Sequence, residues 1–119
     1  MLEVQTRPWG HYKVLHESSR CKVKEILVSG RKRLSLQSHT RRKEAWTITS
    51  GTGRIEIDEK KIIVSPGDSV VIDADQKHRI ENVADGDLVF IEVQTGEYFG
   101  EDDIIRYEDD YGRVEGELK

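Results

Sequence analysis

The feature that most constrains this chain is its punctuation. Apolar residues alternate or run in short blocks, and Gly, Pro, Asp, Asn or Ser clusters interrupt them about every ten positions. The blocks are His11–Leu15, Cys21–Val28, Leu34–His39, Trp46–Thr49, Arg54–Ile57, Ile62–Val64, Ser69–Ile72, His78–Val83 and Leu88–Val93. Turn signals separate them, such as Ser29-Gly30, Asp58-Glu59-Lys60, Ser65-Pro66-Gly67-Asp68 and Ala84-Asp85-Gly86-Asp87. Helical signals are scarce, so the pattern predicts an all-β sandwich or jelly roll, one domain over 1–119. From Tyr98 onward the chain is acidic and less regular; Glu101–Tyr107 reads as a short turn of helix or an edge segment.

Composition narrows the function. Hydrophobic residues make up 35% of the 119 residues, which predicts a marginal core that a bound metal or a second subunit would stabilise. Nineteen Lys plus Arg against 23 Asp plus Glu give a net charge of −4, which argues against nucleic acid as the partner. No apolar run approaches the roughly 20 residues of a membrane helix, and Met1–Gln5 lacks a signal-peptide pattern. Cys21 is the only cysteine, which excludes an intramolecular disulfide and a cysteine zinc cluster. A cytoplasmic domain is expected.

Metal-binding groups recur on strand faces. In the Leu34–His39 block, alternation puts Leu34 and Leu36 on one face and Ser35, Gln37 and His39 on the other. Glu44, Trp46 and Ile48 share a face of the next strand, after a tight connection containing Thr40, Arg41 and Arg42. His78 opens a later strand. Two imidazoles, a carboxylate and an amide oxygen can make a four-point site for a borderline divalent cation, with open positions for water or substrate. His11 and His16 fit no ligand spacing and read as surface residues.

These residues carry a resemblance. Gly30, Gln37-Ser38-His39, Glu44 and Gly51 resemble the first motif of the cupin superfamily, and Gly67, Asp73, Asp75, His78 and Asn82 its second. Asp73, Asp75 and Gln37 depart from the usual pattern. The longer order is more specific: Arg7-Pro8-Trp9-Gly10, Arg42-x-Glu44-x-Trp46, His78-Arg79-x-Glu81-Asn82, Ile91-Glu92-Val93-Gln94 and Tyr111-Gly112-Arg113. It resembles the mannose-6-phosphate isomerase domain of type II phosphomannose isomerases, from Arg7 to Arg113. Gly51-Thr52-Gly53 reads as a hairpin turn and not as a phosphate-cradling loop, so guanylyl transfer is not expected.

The resemblance implies a cupin double-stranded β-helix, with a barrel over about 7–97 and a segment 98–119 packing on or over it. It implies Gln37, His39, Glu44 and His78 as ligands to one divalent ion, zinc first, with manganese, cobalt or nickel possible. The implied reaction interconverts mannose 6-phosphate and fructose 6-phosphate through an enediolate, in a homodimer. An imidazole ligand predicts metal affinity that falls below about pH 6.5. Glu92, inside an apolar run, and Lys24 are the candidate proton-transfer residues, with Arg113 closing over the mouth. Arg42, Arg79 and Arg106 match family positions and are the candidate phosphate ligands. Trp9 reads as a core or dimer aromatic and Trp46 as a core or pocket one. The family's usual His after the glutamate is Ala45 here. That substitution keeps open a non-catalytic cupin that binds metal or sugar and partners a separate nucleotidyltransferase. An iron oxygenase is a third reading, which Gln37 counts against.

Overall fold

Each block of alternating residues becomes a strand, and two edge strands join them. In the computed structural model, which describes residues 3–112, the strands are β1 (Val4–Arg7), β2 (Gly10–Glu17), β3 (Cys21–Val28), β4 (Leu36–His39), β5 (Arg42–Ser50) and β6 (Gly53–Ile57). They continue with β7 (Lys60–Val64), β8 (Ser69–Ile72), β9 (His78–Asn82), β10 (Leu88–Gly96) and β11 (Ile104–Glu108), a single 3-10 turn (Glu101–Asp103) preceding the last. No helix among the described residues is long and apolar enough to cross a membrane. The strands form two antiparallel sheets, β1-β2-β3-β10-β5-β8 and β11-β4-β9-β6-β7, which face each other as a jelly roll.

The inner faces change character along their length. On β5, Ile48 and Trp46 give way to Glu44 and Arg42, all buried, while Lys43, Ala45, Thr47 and Thr49 are exposed. On β10, Leu88 and Phe90 give way to Glu92 and Gln94. Antiparallel pairing aligns the two gradients, with Phe90 across from Ile48, Glu92 from Trp46 and Gln94 from Glu44. On β9 the same change runs from Ile80 to His78. One end of the interior is therefore a dry core of Val28, Ile48, Ile55, Ile80, Leu88 and Phe90. Burying each such side chain contributes about 1.5–3 kcal/mol. The other end is polar, and the dry end holds it in shape.

Turns set the register. Asp58 and Glu59 have positive φ (47° and 73°) and make the two-residue hairpin between β6 and β7. At the β1–β2 hairpin, Gly10 has φ 151°, and a Cβ there would lie 2.0 Å from the Leu27 carbonyl oxygen. Only glycine lets β2 approach β3 that closely while Trp9 turns into the core.

Two departures from expectation have physical reasons. Strand β1 lies at a sheet edge, where one face is solvated and the hydrophobic alternation fades, whereas the turn or edge segment expected at Glu101–Tyr107 is present as the 3-10 turn followed by edge strand β11. Regular pairing of β4 starts only at Leu36, so Leu34 breaks the alternation and lines the same cleft as Gln37 and His39.

Candidate metal centre

The polar end opens as a cleft lined by residues of both sheets, among them His39, Glu44, His78, Glu92, Lys24 and Arg106. His39, Glu44 and His78, all buried, come together there with ligand atoms within 4.8 Å of one another. Glu44 Oε2 lies 3.5 Å from His39 Nδ1, and Glu44 Oε1 lies 3.9 Å from His78 Nε2. The turn at Asp73–Lys77 positions both imidazoles: the Asp75 amide donates to the His39 carbonyl (2.7 Å) and His78 Nδ1 donates to the Gln76 carbonyl (2.9 Å). Asp75 has φ 69°, a left-handed conformation that aspartate tolerates better than most residues. Its departure from the family pattern therefore costs the turn little.

The donor set fits a divalent ion. His39 Nδ1 and His78 Nε2 are buried without a hydrogen-bond partner, and orphaned buried polar atoms are costly unless something binds them. Because His78 Nδ1 donates to a carbonyl, its neutral ring presents the Nε2 lone pair toward Glu44, the orientation a metal ligand needs. His39 differs. Arg42 Nη2 lies 2.8 Å from His39 Nε2, and a guanidinium only donates, so the neutral ring carries its proton on Nδ1. Ligation through Nδ1 sends that proton to Nε2, against the Arg42 N–H; ligation through Nε2 displaces Arg42 outright. Either route requires Arg42 to withdraw. Gln37 lines the cleft and pairs across strands with His78, but its amide nitrogen is turned to Ser35 Oγ (3.0 Å). Ala45 is exposed on the outer face of β5 and leaves the ligand group untouched.

A second carboxyl adjoins the first. Trp46 Nε1 donates to Glu44 Oε1 and to Glu92 Oε1, each at 3.1 Å, and Gln94 Nε2 donates to Glu92 Oε2 at 2.7 Å. Burial, reinforced by the Glu44 charge, pushes the Glu92 carboxyl up to about 7. Its hydrogen-bond donors are neutral, so Glu92 is not held as a structural ion pair. Lys24, its cross-strand neighbour, is held by Glu101 (3.2 Å) and by the Tyr12 ring (4.1 Å to its centroid). Both contacts suit a cation, so Lys24 brings positive charge beside the Glu92 carboxyl.

Of the expected phosphate ligands, Arg42 and Arg106 line the cleft, and the structure corrects Arg79, which does not. Arg42 is buried and committed to Glu44 (2.9 Å), His39, the Gly100 carbonyl (3.3 Å) and Glu101 (3.6 Å), inside the ligand group. Arg79 follows His78 in β9 and so faces the other side of the sheet, where it bonds the Leu34 carbonyl and Glu108. Arg106 enters the cleft from β11, opposite Gln37. Arg113 lies outside the described residues. Sequence reasoning assigned no role to Arg7, Tyr12 or Glu101, which line the cleft.

Burial, with the Arg42 charge and His78 adding to it, brings the His39 imidazole down to about 3; burial also lowers His78. Proton competition at His39 is thus displaced to well below the pH 6.5 expected from an exposed imidazole, and at His78 it shifts in the same direction. The same shifts predict a two-stage acid profile for the metal-free protein. From pH 6.5 to about 3 the unfolded chain takes up a proton that folded His39 refuses, so stability falls as pH falls. Between about 7 and 4.5 folded Glu92 holds a proton that the unfolded chain lacks, so stability rises as pH falls. Each effect is worth about 1.4 kcal/mol per pH unit. Wild type should therefore decline gently to pH 4.5 and steeply below it, whereas Glu92→Gln should decline at the steeper slope from near 6.5. Urea midpoints measured in chelator across this range check it; superimposable profiles would refute it.

A two-sheet jelly-roll barrel with two imidazoles and a carboxylate gathered at its open end defines a cupin. Residues 2–109 match the family model for the mannose-6-phosphate isomerase C-terminal domain, and the chain belongs to that family. It is 44% identical over 108 residues to the alginate biosynthesis protein AlgA of Pseudomonas aeruginosa, covering 91% of this chain and 22% of AlgA. To the mannose-1-phosphate guanylyltransferase ManC of Salmonella typhimurium it is 39% identical, covering 91% and 22%. The chain thus spans about a fifth of the length of these curated relatives. The capsular polysaccharide assembling protein CapF from Staphylococcus aureus superposes with a TM-score of 0.79 at 24% identity, over 91% of this chain and 34% of CapF, a likeness of fold.

Proposed function

We propose that this chain is a metal-dependent aldose–ketose isomerase that interconverts mannose 6-phosphate and fructose 6-phosphate through an enediolate. The observation that carries the reading is the placement of Glu92 beside the His39, Glu44 and His78 group in one cleft. Moving a carbonyl between C1 and C2 needs one group that takes a carbon-bound proton and returns it to the neighbouring carbon. A carboxyl poised at about 7 is present in both protonation states near neutral pH. Trp46 fixes its orientation from one side and Gln94 from the other. A divalent ion on His39, Glu44 and His78, with Gln37 beside them, supplies Lewis-acid polarisation of the sugar carbonyl. Zinc is the first choice for a mixed nitrogen and oxygen set, with manganese, cobalt and nickel as alternatives.

A coupled assay with mannose 6-phosphate, run with each of these metals after chelation, tests the reading. Metal-restored turnover that is lost in Glu92→Gln is the expected result. Binding of the sugar phosphate without turnover under any metal supports the second reading, a non-catalytic metal- or sugar-binding cupin that partners a nucleotidyltransferase. We place the protein in the cytoplasm as a homodimer. Exposed Ile62 and Ile63 on edge strand β7 are apolar surface that a second copy would cover.

A further inference from the structure

The hairpin Arg7-Pro8-Trp9-Gly10 sends Trp9 into the core and pairs Arg7 with Gly10. This carries the Arg7 guanidinium into the cleft that also holds His39, Glu44, His78 and Glu92. Arg7 is half-buried where those groups are buried, which puts it toward the mouth. Its Nη1 donates to the Thr6 carbonyl (2.8 Å), its Nη2 donates to the Tyr12 hydroxyl (3.2 Å), and its carbon lies 5.1 Å from the Tyr12 ring centroid. All of these partners are neutral. Lys24 and Arg42, by contrast, face Glu101 and Glu44 across ion pairs. Of these three cleft cations, Arg7 alone has no carboxylate within ion-pair distance among the described residues.

Charge and position together give this cation a ligand. A guanidinium offers five N–H donors in a planar fork that suits phosphate oxygens, and Tyr12 and Thr6 use only part of that set. Stacking on the ring holds the fork in place, so little rotamer freedom is lost on binding. Deeper in the cleft, Glu44 and Glu92 repel a dianion, so a phosphorylated sugar enters with its carbonyl end toward the ligand group and its phosphate toward Arg7. We propose that Arg7 binds the phosphate of the substrate and makes the cleft selective for sugar monophosphates over free sugars. The proposal rests on the isomerase reading for its reaction but not for its test.

The test is calorimetric titration of the full chain, loaded with zinc, by mannose 6-phosphate, mannose and inorganic phosphate. Wild type is expected to bind mannose 6-phosphate, to prefer it to mannose, and to be competed by inorganic phosphate. Arg7→Gln should weaken mannose 6-phosphate by at least about tenfold, the scale of one charge-assisted hydrogen-bonded contact. It should leave mannose binding and zinc content as they were. Arg7→Lys keeps the charge without the fork and should recover part of the loss. If turnover is found, the Arg7→Gln defect should fall mainly on KM. Binding without turnover sinks the isomerase reading and leaves this proposal standing. Undiminished mannose 6-phosphate binding by Arg7→Gln overturns it, as does a wild type that does not discriminate the phosphate from the free sugar. If Arg7→Gln does not fold, Arg7→Lys binding no more weakly than wild type overturns it too.

Discussion

Replacing His78 by Ala is expected to lower divalent-ion affinity by at least about 100-fold and to abolish metal-dependent turnover, with the barrel still folded. The expectation starts from the tautomer. His78 gives its Nδ1 proton to the Gln76 carbonyl, so its Nε2 lone pair already points at Glu44 in the metal-free fold. Changing even a group that orients a ligand costs about 10–100-fold in metal affinity, and deleting the ligand costs more. The fold should survive because His78 lies at the polar end, next to Trp46 but beyond the core of Ile55, Ile80 and Phe90. Losing the buried ring costs about 2–3 kcal/mol as a cavity. Metal content after dialysis, measured by elemental analysis beside a His11→Ala control, decides the matter. Wild-type stoichiometry in His78→Ala would remove it from the ligand set.

The second large effect concerns Arg42. In Arg42→Met the Glu44 carboxylate is left buried without its cation, and the metal-free protein should lose about 3–5 kcal/mol of stability. Metal should reverse the defect. A divalent ion compensates Glu44 directly, and His39 no longer has its Nε2 engaged by a guanidinium. The variant should therefore bind the ion more tightly than wild type, and the ion should raise its melting temperature further. Thermal melts with and without zinc, together with competition against a chelator, provide the readout. Weaker zinc binding by Arg42→Met would show that Arg42 supports the ion instead of yielding to it.

Much of this was readable beforehand, for a physical reason. Period-two alternation specifies which side of a strand a residue faces, so Glu44, Trp46 and Ile48 could be placed together before any coordinates. The same rule contained the Arg79 correction, since a residue adjacent to His78 must point the other way. Alternation fails where a strand loses regular pairing, as at Leu34, and at solvated edges, as in β1 and β11. It also says nothing about long-range charge partners. The Lys24–Glu101 pair joins residues 77 apart and fills a role that no local pattern announces. Whether Arg42 served substrate or ligand depended on which acids lay near it, and Glu101 approaches from beyond the barrel strands.

The turn between β4 and β5 spaces His39 from Glu44, and it is clasped from far along the chain. Asp103 accepts hydrogen bonds from the Thr40 amide and hydroxyl and from the Arg41 amide, across as many as 63 residues. A chain synthesised from its N-terminus lays down both strands long before that carboxylate exists. Closing so wide a loop carries an entropy cost that local hairpins such as β6–β7 avoid. The dry core closes over an equally wide loop, with Leu88 paired to Val28, so both ends of the barrel wait on the C-terminal third of the chain before they are complete.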